Sequence, residues 1–187
     1  MKIAVFGGTF DPVHIGHVHA VVEAKISLDL DRIIFVPARQ SPLKKTPPAG
    51  DAHRLEMLHR ATDAYEFMEV DTFELEQEGV SYTHDTASYL SKKYPEDELY
   101  FLMGVDQYLD FDKWHNNDEL LRLMSFAVMA RASEEVTVKA PFIRVQQPVV
   151  EVSATIIRER IAEGEIVRHQ LNDTVHDYIK EQRLYEA

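Results

Sequence analysis

The chain contains no cysteine. That excludes disulfides, thiolate zinc sites and a cysteine nucleophile, and by itself leaves the compartment open. No apolar run reaches the ~18 residues a membrane span needs. The apolar stretch near the amino terminus ends at Gly7, too short for the core of a signal sequence, so a cytoplasmic location without membrane contact is expected. Glycine is sparse at seven residues, and no Gly-x-Gly-x-x-Gly occurs. A parallel sheet alone would therefore not justify a dinucleotide dehydrogenase. Cations are scarce too: 20 Lys and Arg face 32 Asp and Glu, for a net charge of −12. Nucleic-acid surfaces are usually basic, so none is expected here. An anionic small molecule would need positive charge gathered locally. Arg39, Lys44 and Lys45 form one such patch, and Arg158 with Arg160 a second.

What the chain does have is an ordinary globular balance, 45% hydrophobic and 28% charged over 187 residues. That size supports a real core and one domain over residues 1–187. Short apolar runs at Lys2–Phe6, Arg32–Val36, Met68–Val70, Leu99–Met103, Phe126–Met129 and Ile143–Val145 read as strands. Amphipathic stretches at His14–Leu28, Ala52–Asp63, Thr83–Lys93, Asn117–Met124, Ala154–Glu163 and Asp173–Glu181 read as helices. Alternation of this kind predicts an α/β fold, a doubly wound parallel sheet with ligands at the carboxyl ends of its strands. Gln40 to Asp51, with three prolines and a glycine, is the clear loop. It reads either as a mobile lid or as a plain connector.

The densest signal is Phe6-Gly7-Gly8-Thr9-Phe10-Asp11-Pro12-Val13-His14-Ile15-Gly16-His17. Gly7 and Gly8 carry no Cβ, so an anion can approach the main chain, and Thr9 adds a hydroxyl. Pro12 directs the chain into a helix on which His14 and His17, at i and i+3, share a face. Gly16 lies between them, where a side chain would crowd whatever they hold. The helix start adds partial positive charge. An isolated His-x-x-His is more often a solvated pair, or half of a metal site. Glycines and Thr9 directly after a strand favour a phosphate site instead.

Three further segments admit both a plain and a functional reading. Val152 to Ile161 is a capped helix, with Ser153 or Thr155 as cap and Ile156, Ile157 and Ile161 as its buried face. Arg158 and Arg160 are disfavoured near a positive helix end; either a bound anion reverses that cost or the arginines are exposed and tolerate it. Gly79 to Thr86 reads as an ordinary helix entry capped by Ser81 or Thr83, whose free amides would also suit a carboxylate. Trp114, the only tryptophan, is either a half-buried anchor or a stacking surface. His53, His59, His115, His169 and His176 have no convergent spacing and read as surface or structural.

The glycine-histidine segment resembles the nucleotidylyltransferase signature Gly-x-(Thr/Phe)-Phe-Asp-Pro-x-His-x-Gly-His. Its Gly-Gly-Thr-Phe-Asp-Pro-Val-His form is most similar to the bacterial nicotinate-nucleotide adenylyltransferase family. The resemblance implies a Rossmann-like sheet of nucleotidylyltransferase type. It also implies transfer of an adenylyl group from ATP to nicotinate mononucleotide, giving nicotinate adenine dinucleotide and pyrophosphate, a step of NAD biosynthesis. Gly7, Gly8, Thr9, Phe10, His14 and His17 would then contact ATP. Val152-Ser153-Ala154-Thr155-Ile156-Ile157-Arg158 is similar to the family's Ile-Ser-Ser-Thr-x-Ile-Arg, so Ser153, Thr155 and Arg158 would hold the β- and γ-phosphates, with Ala154 lacking one hydroxyl. Gly104 and Asp106 match the family's Gly-x-Asp for adenosine, and Arg131 its arginine near the adenine, without the usual following Pro-Gly. Tyr82, Thr83 and Trp114 would receive the nicotinate ring.

Lys44 keeps its register in the loop, as a contact to acceptor and reacting phosphates, while Leu43 replaces a common histidine and leaves nicotinamide mononucleotide open as acceptor. His14, His17, Lys44 and Arg158 are the implied catalytic group. Mg²⁺ is expected on the ATP phosphates, because no carboxylate cluster offers to cage it. Phosphopantetheine suits the aromatic pocket less well. A silent nucleotide-binding module would bind ATP without releasing pyrophosphate, and a metal hydrolase would need further ligands. The sequence leaves a homo-oligomer open.

Overall fold

The computed structural model describes residues 1–39 and 49–187. Six strands form one sheet: β1 (Lys2–Gly8), β2 (Arg32–Pro37), β3 (Met68–Val70), β4 (Glu98–Gly104), β5 (Ser125–Arg131) and β6 (Ile143–Gln147). Their order is β3-β2-β1-β4-β5-β6, and every neighbouring pair is parallel. The apolar runs mark these strands because a parallel sheet is covered on both faces. Its two sides nonetheless separate by the period of two.

Ile3, Val5, Ile34, Val36, Phe101 and Met103 belong to one core cluster, and Ala4, Ile33, Phe35 and Leu102 to the other. The second of these clusters takes in residues of α1 (Ile15–Leu28), α2 (Asp51–Thr62), α7 (Ala154–Ala162) and α8 (Asp173–Gln182). The first takes in residues of α4 (Thr83–Lys93) and α6 (Asn117–Leu123). Helices on both faces make this the doubly wound, Rossmann-like sheet that the sequence predicts.

All six helices read from the sequence form. Two short ones were not foreseen, α3 (Phe73–Glu76) and α5 (Val105–Leu109), nor were the 3-10 turns at Phe111–Lys113 and Arg168–Gln170. Four or five residues span too little of two turns to carry a period. Two expectations about helix starts need correction. His14 is not on α1 but is its N-cap, with extended φ and ψ of −141° and 172°. Tyr82, not Ser81 or Thr83, is the N-cap of α4. On α7 Ile157 is fully buried as expected, but Ile156 is 46% exposed and leaves the apolar face.

The strand order reverses between β1 and β4, with β2 and β3 on one side and β5 and β6 on the other. A crevice opens at such a switch point, outside the carboxyl ends of the strands. The loop after Gly8 and the residue Gly104 both leave the sheet there.

Candidate active site

The loop from β1 to α1 is shaped by its aromatic residues. Phe10 takes a left-handed φ of 51° and turns its ring inward, 5.7 Å from Phe6, 5.6 Å from Phe35 and 5.1 Å from His17. A Cβ on Gly8 would stand 3.0 Å from that ring. Glycine at position 8 thus makes room for the ring of Phe10. Phe10 itself is buried, so its side chain offers no surface to ATP and only its main chain remains for such a contact. Gly7 has the ring of Phe101 at 3.8 Å from the corresponding point.

The histidine pair is built by capping. The main-chain N–H of His14 donates to Nδ1 of His17 at 3.1 Å, and the N–H of His17 donates to the carbonyl of His14 at 3.0 Å. The rings stack with centroids 3.7 Å apart and planes 23° off parallel. A Cβ on Gly16 would meet the His14 ring at 3.0 Å, so this glycine makes room for the pair itself. With Nδ1 of His17 occupied as an acceptor, the neutral ring carries its proton on Nε2 and is a hydrogen-bond donor there. His14 is 6% exposed, and burial lowers its pKa to about 4. It is therefore neutral at neutral pH. The first turn of α1 holds no acidic side chain, so its positive end is unopposed.

A cavity of about 150 Å³ opens beside the pair, lined by His14, Gly16, His17, Arg131, Val150 and Val152 among others. Arg131 reaches it from the last position of β5, with its Nη1 3.6 Å from the Glu151 carboxylate. Arg158 on α7 comes to the same loop. Its Nη1 donates to the carbonyl of Asp11 at 2.7 Å, and its Nη2 lies 3.5 Å from Thr155 Oγ1. Ser153 is the N-cap of α7, whose first turn also lacks an acid. The structure therefore brings His14, His17 and Arg131 to one cavity, and ties Arg158, with Thr155 beside it, to the loop that carries the histidines.

Arg160 does not join them. Its Nε pairs with Glu165 at 3.5 Å, and its Nη1 reaches Gln170 at 3.5 Å, so the second expected basic patch reduces to Arg158. In the first patch, Arg39 donates to the carbonyl of Gln77, while Lys44 and Lys45, like Leu43, lie outside the described residues.

Gly104 ends β4 with open space where its Cβ would be, and Asp106 is exposed in the first turn of α5. Tyr82 and Thr83 open α4. The ring of Tyr82 is half-exposed and 5.1 Å from that of His115, which brings the segment carrying Trp114 alongside. Trp114 is half-buried, packed edge-on against Phe101 and tilted on Phe111. It is an anchor on one side, and Phe101 links it to Gly7.

Of the histidines read as structural, His53 bonds the Tyr178 hydroxyl at 2.9 Å, while His59 and His169 are exposed. Sequence reasoning missed Arg54, Tyr185 and His19. Arg54 is wholly buried and donates to the carbonyl of Thr9 at 2.6 Å. Tyr185 donates to Asp11 at 2.5 Å. Both act through contacts far apart in sequence, and no spacing pattern announces them. His19 lines the cavity two residues beyond the motif. Among the described residues no three His, Asp or Glu side chains stand close enough to hold a metal ion, and no helix is long and apolar enough to cross a membrane.

A family model described as cytidylyltransferase-like matches residues 5–160. The nicotinate-nucleotide adenylyltransferase of Bacillus subtilis is 38% identical over 187 residues, covering 100% of this chain and 99% of that protein. Among solved structures, the Plasmodium falciparum nicotinic acid mononucleotide adenylyltransferase complexed with NaAD superposes with a TM-score of 0.80. It is 19% identical, and the match covers 98% of this chain and 97% of that one. The same enzyme complexed with APC gives a TM-score of 0.78 at 18% identity, over 98% and 96%. These two likenesses carry the fold. The full-length identity carries more: this chain belongs to the nicotinate-nucleotide adenylyltransferase family, within the cytidylyltransferase-like group.

Proposed function

We propose that the chain joins ATP and nicotinate mononucleotide into nicotinate adenine dinucleotide with release of pyrophosphate, all 187 residues acting as one domain. The observation that carries this reading is the stacked His14–His17 pair at the carboxyl end of β1, with the proton of His17 directed to Nε2 by a main-chain donor.

A 5′-phosphate oxygen of the acceptor attacks the α-phosphorus of ATP. The bond from that phosphorus to the bridging oxygen breaks, and its electron pair leaves on pyrophosphate. The attacking oxygen is already anionic at neutral pH, so no strong base is needed. Catalysis then consists of in-line positioning and stabilisation of the leaving charge. His17 donates from Nε2 to a phosphate oxygen. His14, held neutral by burial in the free protein, offers its ring to the triphosphate as a neutral hydrogen-bond donor. Arg158 adds positive charge from α7, and the resemblance assigns Lys44 a contact to the same phosphates. Ser153 and Thr155, at the start of α7, and the main chain of Gly7, Gly8, Thr9 and Phe10 bind the phosphates. Gly104, Asp106 and Arg131 take the adenosine, Asp106 by accepting from the ribose hydroxyls.

The acceptor ring stacks on Trp114, with its carboxylate at the start of α4, near Tyr82 and Thr83, because a helix start leaves its first main-chain N–H groups without intrahelical partners. Magnesium is assigned to the ATP phosphates, since the described residues offer it no ligand set. Substrates this strongly charged suit a cytoplasmic setting.

Acceptor discrimination tests the reading. With Mg-ATP in excess, kcat/KM for nicotinate mononucleotide should exceed that for nicotinamide mononucleotide by roughly tenfold or more, because the amide cannot replace an anion at the helix start. Equal values for the two would contradict a carboxylate-reading pocket.

A further inference from the structure

The loop that presents the histidine pair is held by the third-last residue of the sequence, Tyr185. Tyr185 donates its hydroxyl to Oδ1 of Asp11 at 2.5 Å, across 174 positions of sequence. Asp11 is 3% exposed, and the same oxygen accepts the main-chain N–H of Ala49 at 3.3 Å. The carbonyl of Asp11 takes Nη1 of Arg158. One residue thus joins the phosphate loop, the start of the segment leading into α2, the anion-facing arginine of α7 and the carboxyl-terminal tail.

The tail is built to make this contact. After α8, Arg183 adopts a left-handed φ of 53°, and the N–H of Leu184 returns to the carbonyl of Ile179 at 3.0 Å. That turn sends the chain back toward the sheet. Leu184 and Tyr185 then pack on the same core cluster as Phe10 and Val13. Burial, and next the Asp11 carboxylate, raise the pKa of the Tyr185 hydroxyl well above that of a free phenol, so it remains a donor throughout the useful pH range.

We propose that Tyr185 is a positioning residue for adenylyl transfer: by fixing Asp11 it sets the places of His14, His17 and Arg158 together. The idea rests on the function proposed above. Asp11 lies three residues before His14 and is bonded directly to Arg158, so a shift of Asp11 moves two groups that surround the triphosphate. Small displacements of that kind are costly in an in-line reaction.

The test compares Tyr185→Phe with Leu184→Ala in the full chain. Leu184 shares the apolar packing of the tail but makes no hydrogen bond to Asp11, so its variant reports the loss of packing without the loss of the Tyr185–Asp11 bond. Tyr185→Phe should lower kcat about tenfold or more while KM for the acceptor stays within about twofold. The ring signals of His14 and His17 in a ¹H–¹³C spectrum should move, and those of exposed His59 should not. Leu184→Ala should lower Tm and keep kcat within about twofold of wild type.

A Tyr185→Phe enzyme with wild-type kcat would overturn the proposal. So would a Leu184→Ala enzyme that loses kcat equally, because general loosening would then explain both. Wild-type turnover is measured first. If it is absent, the functional reading fails by itself, and the ring signals still decide whether Tyr185 fixes the histidines: unmoved signals sink the inference.

Discussion

His14 shows how one residue's burial connects stability to catalysis. Its pKa falls from the ordinary histidine value to about 4 because it is buried, so the folded protein holds it neutral where the unfolded chain would protonate it. Between about pH 6.5 and 4 the unfolded state binds the extra proton, and stability is lost as pH falls through that window. The loss amounts to about 3 kcal/mol for a shift of this size, as an order of magnitude. Urea unfolding at a series of pH values should show that slope in wild type and a shallower one in His14→Ala. Parallel slopes in the two proteins would contradict the assignment. The motif was legible in the sequence because its residues are contiguous. The reason for several of them was not. Glycine at 8 and 16 reads as room for a ligand, yet the rings of Phe10 and His14 fill those places. A sequence shows that a Cβ is missing, and only packing shows what takes its space.

Elements position the site by crossing between distant parts of the chain. Arg54 extends from the first turn of α2, fully buried, to the carbonyl of Thr9 at 2.6 Å and to the Asp51 carboxylate at 2.6 Å. Arg54→Met keeps the volume and removes the donor, leaving the Thr9 carbonyl without this bond. Urea unfolding should report a loss of about 1–3 kcal/mol, the cost of an unsatisfied buried acceptor. A change near zero would mean that water or a shifted loop replaces the arginine at no cost.

At this scale the longer elements were readable and the shortest were not. Amphipathic stretches such as Thr83–Lys93 carry their own period, whereas Val105–Leu109 is too short to show one. Where a helix starts was less legible than that it exists. Tyr82 caps α4 although serine and threonine flank it, and the turn geometry at His14 comes from a ring nitrogen accepting a main-chain N–H. Arg158 and Arg160, adjacent on paper, diverge because residues two apart on a helix point in different directions.

At the scale of the whole molecule, a parallel sheet gathers contributions from Gly7 to Tyr185 at one rim. The strand order reverses beside β1, and that is where the phosphate loop, Gly104 and the start of α7 meet. The two-sided core was implicit in the continuous apolar strands. The order of the strands was not: it follows from crossover handedness and packing, which no local pattern encodes. A net charge of −12 is compatible with the proposed anion sites because the donors assigned to them are local: two imidazoles, Arg158, Arg131 and helix starts free of acidic residues at α1 and α7.

The proposed adenylyl transfer at this rim depends on the His14–His17 pair. Its most direct test is pyrophosphate release from Mg-ATP and nicotinate mononucleotide by wild type and by His17→Ala of matched Tm. Wild type should release one pyrophosphate for each dinucleotide formed, and His17→Ala should fall in kcat by roughly 10²–10³, the scale of one lost transition-state donor. ATP binding by wild type without pyrophosphate release, or an unchanged kcat in the folded variant, would contradict the account.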